Sequence, residues 1–469
     1  MTEYAMLIDG DRVQGASTFG VVNPATGQVF AQCPKADEAQ LELAVGAARR
    51  AFPGWAATPI DERSRLVGEV ANAMERRIDE FAASLTAEQG KPLDQARGEV
   101  MGSIGVMRAF GAMRQEPRKL MEEAGKRVTE YRRPLGVVAA IVPWNFPLIL
   151  LVNKFAPALV SGNTIVIKPA PTTPLTALLF AEVCSDIIPA GVVNVICDEN
   201  ELGGKLTAHP EVDKISFTGS TETGRKVMAS AAAGLKRITL ELGGNDASIV
   251  LDDVDPKEAA GQVFAGAMRN AGQICVAIKR AYVPATIYDE FCEELARLAK
   301  EAIVDDGAKQ GAQIGPLQNR QQFEKVSDLL DRTREHGHII AGGSALDREG
   351  FFIPPTIVRD IDDDAPLVRE EQFGPVLPVL KYDDIDSLIE RVNRSEYGLG
   401  GTIWSRDIDR ATEVALRIET GTIWINQLMA IDPRIPFRGT KQSGIGVEGG
   451  LEGFHEYTQA QVINAAVPA

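Results

Sequence analysis

From Val137 onward the chain alternates short apolar runs with helical stretches, and this alternation constrains its fold more than any other feature. Strands are expected at 137–142, 164–168, 193–196, 214–217 and 238–242, with helices at 148–160, 175–187, 202–208 and 224–233 between them. Each helix falls between consecutive strands, which implies βαβ units and a parallel, doubly wound sheet. A second alternation begins near Ser248, with strands at 248–251, 281–283, 376–380, 402–404 and 422–426. Its helices are expected at 256–269, 287–303, 318–335, 385–393 and 408–418. Two α/β domains follow, joined close to Gly243-Gly244, and a chain of 469 residues is long enough to need more than one core. Before them come short strands and turns and a helical block, where 39–52, 60–77, 78–90 and 93–114 carry apolar residues at helical spacing.

The net charge of −16 and a pI near 4.9 argue against nucleic acid or an anionic membrane as partner. One segment imitates a membrane span: 134–152 is nearly all apolar. Pro134, Pro143, Pro147 and Asn145 would break a spanning helix, so a buried strand, a loop and a helix start are expected instead. Five cysteines stand without CxxC or Cys/His ligand spacing beside four histidines, which leaves no metal site to propose. An odd, unframed cysteine count and an N-terminus without a signal-like apolar stretch point to a soluble protein of the reducing cytoplasm.

Four features carry chemistry. Cys275 sits in a turn-like break between a helix and a strand, where a thiolate would be reachable; alone, it also fits a small buried hydrophobe. Glu241 ends an otherwise apolar strand; it is either a solvated strand-end carboxylate or a buried one raised toward neutrality and suited to base catalysis. Asn145, in Pro143-Trp-Asn-Phe-Pro147, is a turn-former or an amide donor for a developing oxyanion. The turn Thr218-Gly219-Ser220 opens a helix, as an ordinary cap or as a phosphate-binding N-terminus, although its spacing is neither the dinucleotide G-x-G-x-x-G nor a P-loop.

Taken together, Pro143-Trp-Asn145, Lys168-Pro-Ala, Phe217-Thr-Gly-Ser220, Glu241-Leu-Gly-Gly244, Gly272-Gln-Ile-Cys275, Glu370-Glu-Gln-Phe-Gly-Pro375 and Lys441-Gln-Ser-Gly444 stand in the order found in the aldehyde dehydrogenase superfamily. The chain resembles that family from about residue 23 to 464, with 34 residues from Glu241 to Cys275 and 96 from Cys275 to Glu371.

The resemblance implies that Cys275 attacks an aldehyde carbonyl, with the Cys275 N–H and the Asn145 amide holding the oxyanion. Hydride transfer leaves a thioester, which Glu241-activated water hydrolyses, with Lys154 and Glu448 as a proton-relay pair. Lys168 would meet the adenosine ribose, Gly219, Ser220 and the adjacent helix N-terminus the pyrophosphate, and Pro171 and Leu242 would also contact the cofactor. Glu371 would bind the nicotinamide ribose, with Phe373 and Trp144 near the ring.

The same resemblance implies a discontinuous NAD(P)-binding domain at 1–115 and 135–243 and a catalytic domain at 244–442. A small β oligomerisation element at 116–134 and 457–469 would make a homodimer or homotetramer, with the C-terminal strand 461–464 pairing with a neighbouring subunit. Many NAD-dependent relatives carry Glu where this chain has Pro171, so NAD and NADP are both admitted, with NAD preferred. Arg438 replaces a usual glycine and, with Arg434, offers a cation for an acidic substrate; otherwise both are surface arginines. Leu150, Val152, Asn153, Ile274, Val276, Leu428 and Met429 would line the tunnel and suit a medium-sized aliphatic or aromatic aldehyde.

Rival readings are a coenzyme A-acylating relative, a Cys/His thiol hydrolase and a retired enzyme scaffold. Glu241 argues against the first, the histidines outside any motif against the second, and the intact Asn145, Glu241, Cys275 and Glu371 set against the third.

Overall fold

The computed structural model describes residues 4–123 and 125–467. Residues 1–3, 124 and 468–469, at the ends of the expected first and last segments and within the expected hairpin, lie outside the described residues.

The first sheet has eight strands: β1 (Met6–Ile8), β2 (Asp11–Val13), β3 (Val137–Ile141), β4 (Thr164–Lys168), β5 (Val193–Val195), β6 (Lys214–Thr218), β7 (Arg237–Glu241) and a late strand, β15 (Gly444–Ile445). Their order is β2-β1-β5-β4-β3-β6-β7-β15, with the five central strands parallel. Helices α1 (Pro147–Val160), α2 (Leu175–Ser185) and α3 (Thr221–Ala232) connect strands of this sheet. Strand order reverses where β6 is laid beside β3, and ligands of such sheets bind in the crevice outside the carboxyl ends of the strands.

The second sheet comprises β8 (Asp246–Val250), β9 (Ile278–Pro284), β10 (His338–Ala341), β11 (Thr356–Arg359), β12 (Val376–Tyr382), β13 (Gly400–Trp404) and β14 (Thr422–Ile425), ordered β10-β11-β12-β9-β8-β13-β14. Helix α4 (Pro256–Met268) crosses from β8 toward β9 and is capped by Asp255, which accepts from the Lys257 and Glu258 N–H groups. Each sheet has its own apolar core, one built around Val138, Phe155, Ile165 and Phe180, the other around Ile249, Tyr282, Phe291 and Leu377. The chain passes from the first sheet to the second within 242–245.

The strands at 338–341 and 356–359 were not anticipated, because both are four residues long and the first is mostly outside the core. The apolar stretch 134–152 divides into a strand end, β3, a Pro-bracketed loop and the first turns of α1. No helix among the described residues is long and apolar enough to cross a membrane.

A third, three-stranded sheet orders Thr458–Ala466, Lys126–Pro134 and Arg118–Glu123. The expected hairpin and C-terminal segment thus form one sheet, with Thr458–Ala466 at its edge. The C-terminal strand pairs residue by residue with Lys126–Pro134 of its own chain, because the turn after the Gly450–His455 helix delivers it there.

Candidate active site

Asn145 lies in the loop between β3 and α1, at the crevice. Its frame is a buried ion pair: Lys91 Nζ sits 2.5 Å from Glu99 Oε2 with both side chains fully enclosed. Lys91 also donates to the Asn145 carbonyl at 2.9 Å and lies 3.8 Å from the centre of the Phe146 ring. The other oxygen of Glu99 accepts from the Leu148 and Ile149 N–H groups, capping the first turn of α1 and favoured there by the helix dipole. Neither Lys91 nor Glu99 was singled out from the sequence, and only the fold brings them to this loop.

Cys275 follows a 3₁₀ turn, Arg269–Gly272, in which Asn270, Ala271 and Gly272 all have left-handed φ (51°, 53° and 72°). Gly272 is required twice over, since a β-carbon there would come 2.2 Å from the Gly374 carbonyl oxygen. The Asn145 and Cys275 loops are laced together. Asn145 Nδ2 donates to the Gln273 carbonyl at 3.1 Å, and Asn270 Nδ2 donates back to the Asn145 carbonyl at 3.1 Å.

Around Cys275 is an apolar cluster of Ile274, Val276, Ala277, Leu399 and Trp424, with Phe146, Met429 and Phe437 packed against it. Phe146, Trp424 and Phe437 were missed in the sequence because their approach to Cys275 is purely tertiary. Val152, expected beside the tunnel, is fully buried in the first core and offers it no surface. Arg434 is folded onto Asp432 (2.5 Å), and Arg438 is exposed and forms no ion pair among the described residues.

Cys275 is half-buried whereas the other four cysteines are buried, so the turn leaves its thiol reachable, as its position suggests. Burial pushes it up to about 12, Lys279 pulls it down, and Asp246, Glu241 and Glu371 push it further up. Lys279 also escaped the sequence reading. Its ammonium donates to the carbonyls of Ile274 and Cys275 at 2.8 and 2.7 Å and lies 3.8 Å from Glu371.

Glu241 is buried at the carboxyl end of β7, and neither carboxylate oxygen has a hydrogen-bond partner. Burial, then the nearby Glu448, hold its carboxyl well above the usual range, while Lys154 opposes them. Glu448 and Lys154 form an ion pair of 2.7 Å, and Lys154 also donates to Thr218 Oγ1 at 2.7 Å. Glu448 is anchored through backbone hydrogen bonds with Phe437 in both directions. The solvated reading of Glu241 is therefore excluded by its burial.

The residues expected at the cofactor stand at, or pack against, the carboxyl ends of β3, β4, β6 and β7. Trp144 and Phe373 meet edge to face, 5.4 Å between ring centres. Glu371 Oε1 accepts from the Gly244 N–H at 3.0 Å, and a β-carbon on Gly243 would stand 2.6 Å from Glu371 Oε2. Ser220 caps α3 by accepting from the Thr223 N–H, and Leu242 packs onto Gly224 in the first turn of that helix. Gly219 donates its N–H to the Glu241 carbonyl at 3.1 Å, tying the turn to the end of β7. Lys168 ends β4 paired with Asp198, and Pro171 stands in the turn that follows.

The sequence model of the aldehyde dehydrogenase family matches residues 12–463. The chain belongs to the aldehyde dehydrogenase family. It is 38% identical over 473 residues to phenylacetaldehyde dehydrogenase of Pseudomonas fluorescens, covering 97% of this chain and 94% of that one. It is 37% identical over 464 residues to succinate-semialdehyde dehydrogenase [NADP(+)] of Escherichia coli (strain K12), covering 97% and 96%. The NAD+ complex of aldehyde dehydrogenase from Bacillus cereus superposes with a TM-score of 0.97 at 35% identity, covering 99% and 97%. The two doubly wound sheets are thus those of the aldehyde dehydrogenase fold, and the chain is an oxidoreductase acting on aldehydes.

Proposed function

We infer that this aldehyde dehydrogenase oxidises a medium-sized aliphatic or aromatic aldehyde to its carboxylic acid through a thioester on Cys275. The observation that carries the substrate class is the apolar and aromatic cluster around the nucleophile, with Phe146, Trp424 and Phe437 in its wall. Such a wall favours an uncharged hydrocarbon tail over a carboxylate, which would be desolvated there without a partner.

The crevice fits a nicotinamide dinucleotide. Gly219 opens the N-terminus of a twelve-residue helix toward it, and Glu371 stands beside two glycines that leave it room. Lys168 and Ser220 would hold the adenosine and pyrophosphate side, and Glu371, Phe373 and Trp144 the nicotinamide side. When bound, the dinucleotide accepts the hydride.

Cys275 must first lose the proton that burial keeps on it, and Glu241, with both oxygens free of hydrogen bonds, is the base at hand. The sulfur then adds to the carbonyl carbon, and the oxyanion takes hydrogen bonds from the Cys275 N–H and the Asn145 amide. Losing one such donor typically costs about 10²–10³ in rate. After oxidation, Glu241 removes a proton from the water that attacks the thioester, the acid departs and the Cys275 sulfur leaves as thiolate. The Glu448–Lys154 pair relays each proton away from Glu241, the thiol proton before the water step and the water proton before the next turnover.

The test is NADH and NADPH formation with short aliphatic, long aliphatic, aromatic and carboxylate-bearing aldehydes, with Cys275→Ala as control. The reading requires loss of turnover in the control and the highest kcat/KM with the uncharged long-chain or aromatic members. Preference for the carboxylate-bearing aldehyde would sink the substrate assignment.

A further inference from the structure

Lys168 closes β4 at its carboxyl end, and Asp198 stands three residues beyond β5, the next strand in the sheet. There Lys168 Nζ lies 2.5 Å from Asp198 Oδ1, with 4% and 1% of the two side chains exposed. Asp198 Oδ2 accepts from the Leu202 N–H at 2.6 Å. Oδ1 has the ion contact but no hydrogen bond. A buried carboxylate oxygen is an acceptor only, and here it faces the Lys168 ammonium off the direction of a hydrogen bond. The residues that follow, Glu199 and Glu201, both reach Lys35, so this rim carries three carboxylates against two lysines. Pro171, in the turn after β4, brings no charge of its own.

We propose that Asp198 sets the choice of dinucleotide: beside Lys168 it accepts the adenosine ribose 2′-hydroxyl of NAD at Oδ1 and turns away the 2′-phosphate of NADP. This rests on the reading that Lys168 meets the adenosine ribose. A hydroxyl is donor and acceptor, so it can satisfy Oδ1 and receive from Lys168 together. A 2′-phosphate carries close to two negative charges (about −1.5 to −2) and has no hydrogen to offer an adjacent carboxylate. The lysine that would hold it is already matched by Asp198. Discrimination thus comes from a repulsive group placed against the wrong ligand as well as from an attractive one.

The test is equilibrium binding of NAD and NADP, without aldehyde, followed by tryptophan fluorescence on the wild type, Asp198→Asn, Asp198→Ser and Lys168→Met. The wild type is expected to bind NAD at least ~10-fold more tightly than NADP, and both Asp198 variants to narrow that ratio about tenfold through a gain for NADP. A wild type that binds NADP as tightly as NAD overturns the proposal, and so does either Asp198 variant that keeps native circular dichroism and an unchanged ratio. If neither variant folds, ADP against 2′,5′-ADP on the wild type decides by the same criterion. Lys168→Met separates the two layers. Unchanged affinity for both dinucleotides removes Lys168 from the ribose and takes the proposal with it. Weakened binding of both, with a ratio insensitive to Asp198, overturns the role of Asp198 alone.

Discussion

Lys279 reaches back four residues and donates from Nζ to the carbonyl oxygen of Cys275 at 2.7 Å. It donates equally to the carbonyl of Ile274, at 2.8 Å. That second carbonyl and the Cys275 N–H are opposite ends of one trans peptide group. A cation on the oxygen end polarises the group and strengthens the N–H as a donor, because hydrogen bonds in series reinforce one another. One buried lysine therefore acts on both parts of the proposed nucleophile, its sulfur through the field and its oxyanion donor through the peptide.

Lys279→Met is expected to slow alkylation of Cys275 by iodoacetamide at pH 8 by roughly tenfold, equivalent to ~1.4 kcal/mol. The direction follows from Lys279 being the group that lowers the thiol against burial. Lys279→Arg retains the charge and should recover part of the rate, which a purely packing role would not allow. Alkylation at the wild-type rate in the Met variant would contradict the electrostatic role.

The Lys91–Glu99 pair gives a stability prediction. Both side chains are enclosed and each also serves the Asn145 loop or the start of α1. Removing one partner of a buried pair leaves an uncompensated charge, at a cost of about 3–5 kcal/mol. Lys91→Met and Glu99→Leu should each lower the unfolding midpoint markedly, whereas the double variant should lose less than the two singles together. Additive losses would mean that the two charges do not depend on each other.

Asp246 should make stability fall as pH rises through the weakly acidic range. Its carboxyl is pushed up from 3.8 to about 7 by burial, against Lys279 and the Gly400 N–H. The folded state therefore holds a proton that the unfolded state has lost, and between about pH 4 and 7 each rise in pH favours unfolding. The accumulated effect is on the order of 4 kcal/mol. Asp246→Asn removes it, so the variant's thermal midpoint should gain on the wild type by a few degrees between pH 4.5 and pH 8. A midpoint difference that does not change with pH would refute the assignment.

These groups mark the boundary of what the sequence could convey. Periodicity located β4 to its last residue and most helices to within a few residues, because buried strands and amphipathic helices announce themselves locally. Cys275, Glu241 and Asn145 were legible through their motifs. Lys91 was not, since its partners lie 8 and 54 residues away, and neither was Asp198, which meets Lys168 only because β5 is laid beside β4. The state of the Cys275 thiol was illegible for a related reason. The turn leaves Cys275 half-buried, and its packing against a second loop desolvates the thiol by more than the lysine's field offsets.

The proposed relay pair yields a prediction in which two variants move different observables. Glu241→Gln removes the base for the water but leaves Cys275, Asn145 and the crevice in place. With base catalysis contributing about 10²–10⁴, steady-state turnover should fall by at least ~10². Because Glu241 is also the base proposed for the thiol, the first-turnover burst of NAD(P)H should slow as well; a burst at the wild-type rate would assign the thiol proton to solvent instead. Lys154→Met acts through Glu241 instead. Lys154 is the group that lowers the Glu241 carboxyl against burial and Glu448, so its removal keeps Glu241 protonated to higher pH. With Glu241 as the proposed base, turnover is expected to rise with pH as it ionises, and in Lys154→Met that rising limb should be displaced to higher pH. Lys154→Arg keeps the cation and should leave the limb near its wild-type position. A limb that stays put in the Met variant while kcat falls uniformly would make Lys154 a packing residue, and the Glu448–Lys154 pair no relay.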